Sequence, residues 1–237
     1  MLIIDSGTLS WKIVYGMQYG CDPWEFTDPM MERGALLCID SRESVRKNTY
    51  PWYKANRKAL PEATKTLLYA SIEWLKQAQQ RYPSNCVKWS GWEADDLCAY
   101  HFQPGNFPES LGDIVMSTDK DLLQIPDVTL VDKDKLPWSF ERVNKKQKRI
   151  QIHTAEQWLV FQLLQGDVAD NIPRLSPSSD RHTGRAILAS PEPLRATIAT
   201  YPIEEVRQRL DVLLCPSPLL TGEDALAVAL RRYGYVE

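Results

Sequence analysis

The chain has 237 residues, 43% of them apolar and 25% charged, with a formal net charge of −3. That is the balance of a globular protein large enough to bury a core, which excludes a disordered or low-complexity chain. No apolar run reaches the ~20 residues a bilayer requires, so no membrane partner is expected. The five cysteines never form a Cys-x-x-Cys pair, which argues against a disulfide framework or a zinc site and for a reducing cytoplasm.

The chain opens on Met1–Asp5, which has no basic segment before its first carboxylate and reads as a buried strand, not a leader. Further strand-like runs are Ala35–Ile39, Cys86–Trp89, Ile114–Met116 and Val128–Val131. Between them, Glu62–Arg81 places Leu68, Ile72, Leu75 and Ala78 at helical spacing behind Pro61, and Glu93–Phe102 reads as a second helix. Strands alternating with helices predict an α/β lobe over 1–150, with a mostly parallel central sheet and helices on both faces. Trp138–Ile152 reads as a basic hairpin or irregular ribbon. Thr154 then caps a helix over Ala155–Gln165, with Gln157 completing a capping-box pattern. From there helices are broken by turns at Pro173–Ser179, Pro191–Pro193 and Pro216–Pro218, which predicts a mostly helical lobe over 151–237.

The acids fall where strands end. Asp5 closes the first run, Asp40 follows the second, and Asp119 and Asp121 follow Ile114–Met116. In an open parallel sheet those ends face one crevice. Gly91-Trp92-Glu93-Ala94-Asp95-Asp96 and Gly166-Asp167-Val168-Ala169-Asp170 each add acids three apart. Carboxylates so crowded raise one another's pKa and are tolerable with divalent cations between them. Oxygen ligands without His or Cys suit Mg²⁺ or Mn²⁺, and a pair of such ions is the usual device for phosphodiester hydrolysis. Any one acid at a strand end is as readily a helix cap, and Asp127, Asp132 and Asp134 read as turn residues. Setting nine acids aside as ligands turns the remaining charge basic. The basic residues bunch at Arg42, Arg46, Lys47, Lys54, Arg57 and Lys58, and again at Lys145, Lys146, Lys148 and Arg149. Basic surface beside an acidic pocket suits a phosphate substrate; the second bunch reads equally as a solvated face.

Four blocks carry a family resemblance: Tyr50-Pro51-Trp52-Tyr53-Lys54-Ala55-Asn56-Arg57, Gly91–Asp96, Ser117-Thr118-Asp119-Lys120-Asp121, and Gly166–Pro173. In content and order they resemble the 5′-nuclease or flap-endonuclease family, which includes the 5′→3′ exonuclease domain of bacterial DNA polymerase I and stand-alone bacteriophage 5′ nucleases. The resemblance implies hydrolysis of DNA at or near a free 5′ end, flap or nick, extending to RNA–DNA hybrids, by a monomer in a bacterial cell or phage-infected host. It also implies two Mg²⁺ or Mn²⁺ ions, with Asp40, Glu93 and Asp95 on the first and Asp5 nearby. Asp119, Asp121 and Asp167 would hold the second, and Asp96 and Asp170 are additional acids. A helical arch is implied near 45–82. Within it Lys54 and Arg57 would share a helical face toward the scissile phosphate, and Tyr53 would stack on a terminal base; Trp52 reads as a core aromatic. Arg46, Lys47, Gly184 and Arg185 are the expected DNA contacts.

Two departures stand out. The family's glycine-rich helix-hairpin-helix loop is reduced to Gly184 ahead of a helix carrying Arg185, a degenerate form that puts the potassium site in doubt. Gln162 stands where several relatives carry a basic residue. The rival readings are a PIN-like ribonuclease, against which the Tyr-Lys-Ala-Asn-Arg block argues, and a catalytically silent nucleic-acid-binding relative, against which the intact acids argue.

Overall fold

The computed structural model describes residues 1–102, 113–132, 137–138, 152–176, 180–190 and 192–214, with 227 and 231 as isolated positions. The basic ribbon and its lysines at 145, 146 and 148, together with Asp134 and the turn at Pro216–Pro218, lie outside the described residues. The chain forms two compact units. The first comprises Met1–Glu43, Lys58–Leu122 and Val128–Trp138; the second comprises Ser44–Arg57, Leu123–Asp127 and Ser139–Glu237.

The first unit is built on a sheet of β1 (Leu2–Asp5), β2 (Leu36–Cys38), β3 (Cys86–Val87), β4 (Ile114–Met116), β5 (Thr129–Val131) and β6 (Pro137–Trp138). The order is β3-β2-β1-β4-β5-β6. Every pairing is parallel except β5 with β6. The register aligns Ile4 with Leu37 and Met116, and Met116 with Val131. That row forms one buried face, packed with Leu9 and Ile13 of α1 (Ser6–Gln18), Met30 and Met31 of α2 (Pro23–Met31), and Trp74, Leu75 and Ala78 of α4 (Glu62–Arg81). Ile3, Val115 and Leu130 form the buried row on the opposite face. Burial on both faces explains why these strands are continuous apolar runs without alternation.

The long helix α4 is rotated from the expected stripe. Ser71, Trp74, Leu75 and Ala78 are buried, whereas Ile72 is exposed. Trp74 turns inward instead, its ring 5.0 Å from that of Trp24, and an indole buries more apolar area than either Leu68 or Ile72 alone.

In the second unit, α6 (Ala155–Gln165) is buried almost all round, from Trp158 through Leu164. Thr154 caps it by accepting from Gln157 N at 3.2 Å. The Gln157 side chain takes the amide of His153 at 2.8 Å, one residue earlier than a capping box requires. Gln162, inside this helix, is buried and accepts from Gln124 Nε2 at 2.9 Å, so its amide is matched in the interior. Around α6 pack α7 (Asp180–Ala189), α8 (Pro193–Thr200) and α9 (Ile203–Leu213), while α9 also meets the short α3 (Arg46–Thr49).

Candidate metal centre

The first unit's acids collect because β2, β1 and β4 are adjacent and parallel. Their carboxyl ends therefore lie at one edge. Asp5 ends β1 and caps α1, accepting from Gly7 N at 2.8 Å. Its other oxygen accepts from Ser117 Oγ at 2.6 Å and Thr8 Oγ1 at 3.1 Å. Asp40 Oδ1 accepts from Ala94 N at 2.8 Å, which ties the β2 end to the first turn of α5 (Ala94–Phe102). Asp119 accepts from Asp121 N at 2.9 Å, and that turn brings both side chains forward.

The tightest group is Asp95, Asp119 and Asp121, whose carboxylate oxygens lie within 4.8 Å of one another. Charge repulsion extends the set. Burial raises Asp5, and Asp95 adds to the effect against the hydroxyl and amide hydrogen bonds. Crowding by protein atoms, followed by Asp5, Asp95 and Glu93, pushes Asp40 up to about 6. Asp119 is raised well above the usual carboxylate range by desolvation and then by Asp121 and Asp95. Asp95 is thus the common neighbour of Asp5, Asp40 and Asp119. Asp121 is additionally paired with Lys120 at 3.2 Å.

Asp96 joins this network, its N donating to Asp95 Oδ1 at 2.9 Å. It is fully buried and accepts from Glu93 N at 3.0 Å, so it caps α5 from within. Asp167 and Asp170 belong to the second unit. There Asp167 and Ile172 exchange backbone hydrogen bonds at 2.9 and 2.7 Å, closing a tight loop after Gly166 (φ 67°). Asp170 is ion-paired with Arg57 at 2.7 Å.

Several expected contacts are corrected. Tyr53, Lys54 and Arg57 lie in or beside a turn, not on a helix, and Lys54 adopts φ 59°. Tyr53 is buried at 2% exposure beneath Lys54, whose Nζ lies 4.7 Å from the ring centre, so it offers no face for a base. Trp52, read as core, is 66% exposed. Arg46 is buried at 1% exposure, with Nε and Nη2 donating to the carbonyls of Val212 and Leu214 at 2.9 and 3.0 Å. It satisfies orphan carbonyls at the end of α9 and is not a surface phosphate contact. Lys47 is exposed. Gly184 is buried and Arg185 exposed, but both lie inside α7, which begins at Asp180, so Arg185 is not at a helix start. Residues 177–179, just before α7, lie outside the described residues.

The hydroxyls around Asp5 carried no assigned role in the sequence reading. Thr8 and Ser117 orient one carboxylate oxygen, and Ser6 Oγ accepts from Asp40 N at 3.2 Å. The available signal was Ser6 directly after Asp5 and Ser117-Thr118 directly before Asp119. Asp132, set aside as a turn residue, is buried directly after β5.

A family model described as the 5′-3′ exonuclease, N-terminal resolvase-like domain matches residues 25–156. DNA polymerase I of Rhizobium leguminosarum is 32% identical over 151 residues, covering 59% of this chain and 13% of the polymerase. DNA polymerase I of Caldicellulosiruptor bescii is 30% identical over 145 residues, covering 58% and 16%. The chain therefore matches only a small part of these longer relatives. Among solved structures, the bacteriophage T5 D15 protein co-crystallised with metal ions superposes with a TM-score of 0.66 at 18% identity, covering 100% of this chain and 99% of that one. The T5 D15 flap endonuclease in a pseudo-enzyme–product complex with DNA and metal ions gives 0.63 at 16% identity, covering 99% and 98%. At these identities the two likenesses establish the fold.

Proposed function

Since the chain belongs to the 5′-3′ exonuclease family, we propose that it hydrolyses DNA phosphodiesters at or near free 5′ ends, using divalent cations held by its acidic cluster. The observation that carries this reading is the convergence of Asp95, Asp119 and Asp121 within 4.8 Å, with Asp40 and Asp119 raised by desolvation first and by neighbouring carboxylates second.

The residues fit such ions. The donors are carboxylate oxygens, which suit Mg²⁺ or Mn²⁺ over softer metals. Asp95, Asp119 and Asp121 are the first candidates to hold an ion, and Asp40, Glu93 and Asp5 the candidates for a second. Asp167 and Asp170 are proposed as further acids on the strength of their motif. When bound, such cations supply positive charge that polarises the phosphodiester and stabilises the displacement. Ser117, Thr8 and the Gly7 amide hold Asp5 in one orientation. The Ala94 amide does the same for Asp40. Lys54 is proposed as the cation that offsets charge developing on the phosphate. Arg57 is proposed to hold Asp170 in place.

The proposed substrates are DNA with a free 5′ end, a flap or a nick, and RNA–DNA hybrids. The test is cleavage of a 5′-flap, a nicked duplex, an RNA–DNA hybrid and single-stranded RNA, with Mg²⁺, Mn²⁺ or EDTA. Cleavage of the 5′-ended DNAs that stops in EDTA and returns with Mg²⁺ or Mn²⁺ is the expected result. Full activity in excess EDTA, or cleavage confined to single-stranded RNA, overturns the reading.

A further inference from the structure

The turn carrying Lys54 and the loop carrying Asp170 are bolted together within the second unit. Asn56 Nδ2 donates to Val168 O at 2.6 Å, and Asn171 Nδ2 donates back to Trp52 O at 2.8 Å. Lys54 N donates to Asp170 O at 2.9 Å, and Arg57 pairs with the Asp170 carboxylate at 2.7 Å. Two non-glycine residues, Lys54 at φ 59° and Asn171 at φ 60°, hold left-handed backbone to make this possible. Such strain persists only where the surroundings over-determine it.

The assembly keeps apolar groups in water. Trp52 is 66% exposed and Val168 is 85% exposed, and each has its own carbonyl gripped by an asparagine amide from the other segment. The next residue along, Tyr53, is buried. The fold therefore covers the smaller ring and leaves the largest side chain of the turn outside, on a backbone that cannot retract it. Lys54 and the exposed Arg57 and Lys58 follow within six residues. An aromatic face followed by cations matches the repeating chemistry of a single strand, base then phosphate.

We infer that Trp52 is a rigid platform on which one unpaired nucleobase stacks, next to the phosphate that Lys54 contacts. The inference rests on the nuclease reading above and adds the residue that holds the strand's base. Tyr53 supports the platform and Lys54 from below. Because the ring is uncharged, its contribution is independent of salt, unlike that of the neighbouring cations.

The test places 2-aminopurine at successive positions of the single-stranded 5′ arm of a flap substrate, bound in Ca²⁺ with the parent, Trp52→Phe and Trp52→Leu. Quenching confined to one position in the parent, kept by Trp52→Phe and lost in Trp52→Leu, is expected. It should be accompanied by about tenfold weaker binding for Trp52→Leu and an unchanged salt slope. An abasic residue at that position should cost the parent the same factor and cost Trp52→Leu nothing. A parent that binds and cuts the flap but shows the same fluorescence and affinity as Trp52→Leu refutes the platform alone. A parent that binds no 5′ arm refutes the platform and the nuclease reading together. Circular dichroism melts of the variants separate either result from misfolding.

Discussion

Removing one charge from the acidic cluster should stabilise the metal-free protein, and Asp40→Asn is the variant that shows it. Asp40 Oδ1 accepts from Ala94 N, and an asparagine oxygen keeps that bond. What the substitution removes is a carboxylate whose pKa is pushed from 3.8 to about 6 by crowding and by Asp5, Asp95 and Glu93. The folded carboxyl binds its proton more tightly than the unfolded one. Between about 3.8 and 6 the folded state therefore carries more protons, and stability falls as pH rises through that window. A shift of that size is worth about 3 kcal/mol at full strength. More than a third of Asp40 faces solvent, so screening leaves about 1 kcal/mol, or roughly 3 °C in Tm for a chain of this length. Thermal melts in EDTA should show Asp40→Asn about 3 °C above the parent at pH 8, with the difference closing toward pH 4. Adding Mg²⁺ should raise the parent more than the variant, because the parent keeps the ligand. An EDTA melt in which the variant is no more stable at pH 8, or is equally favoured at pH 4, would show that Asp40 is not held against its neighbours' charge.

Lys54→Ala should slow single-turnover cleavage of a 5′-flap about a hundredfold at saturating enzyme, the loss of roughly 3 kcal/mol of barrier stabilisation; an effect on affinity alone would make Lys54 a steering charge. Arg46→Met should cost about 3 kcal/mol in urea unfolding, because it leaves the carbonyls of Val212 and Leu214 buried without their donor. The salt slope of DNA binding should stay as in the parent, and a shallower slope would return Arg46 to the DNA surface. Gly166→Ala should lower stability by several kcal/mol. Gly166 sits at φ 67°, and an added Cβ presses on Ile172 O and lies 2.6 Å from Pro173 C. A Tm within a degree or two of the parent would show that the Asp167 loop opens without cost.

The sequence by itself carried the parallel sheet and the strand-end acids, because those depend on short-range pattern. A buried parallel strand must be apolar on both faces, and an acid that follows it must emerge at the carboxyl edge. Asp5, Asp40, Asp119 and Asp121 were legible on that ground alone. So was the cap at Thr154, which is local in the chain. What only the tertiary structure decided is which way side chains of similar chemistry face. Trp52 and Tyr53 are adjacent aromatics, and nothing local says that the second is buried while the first stands in water. That choice follows from the contacts of the turn with residues more than a hundred positions away, at Val168, Asp170 and Asn171. Arg46 and Lys47 likewise look interchangeable in sequence. The carbonyls of Val212 and Leu214 draw in the guanidinium, whose planar donors can satisfy two acceptors at once, and leave the lysine outside. Composition assigns a charge to the surface by default, and only the distant end of a helix reverses it.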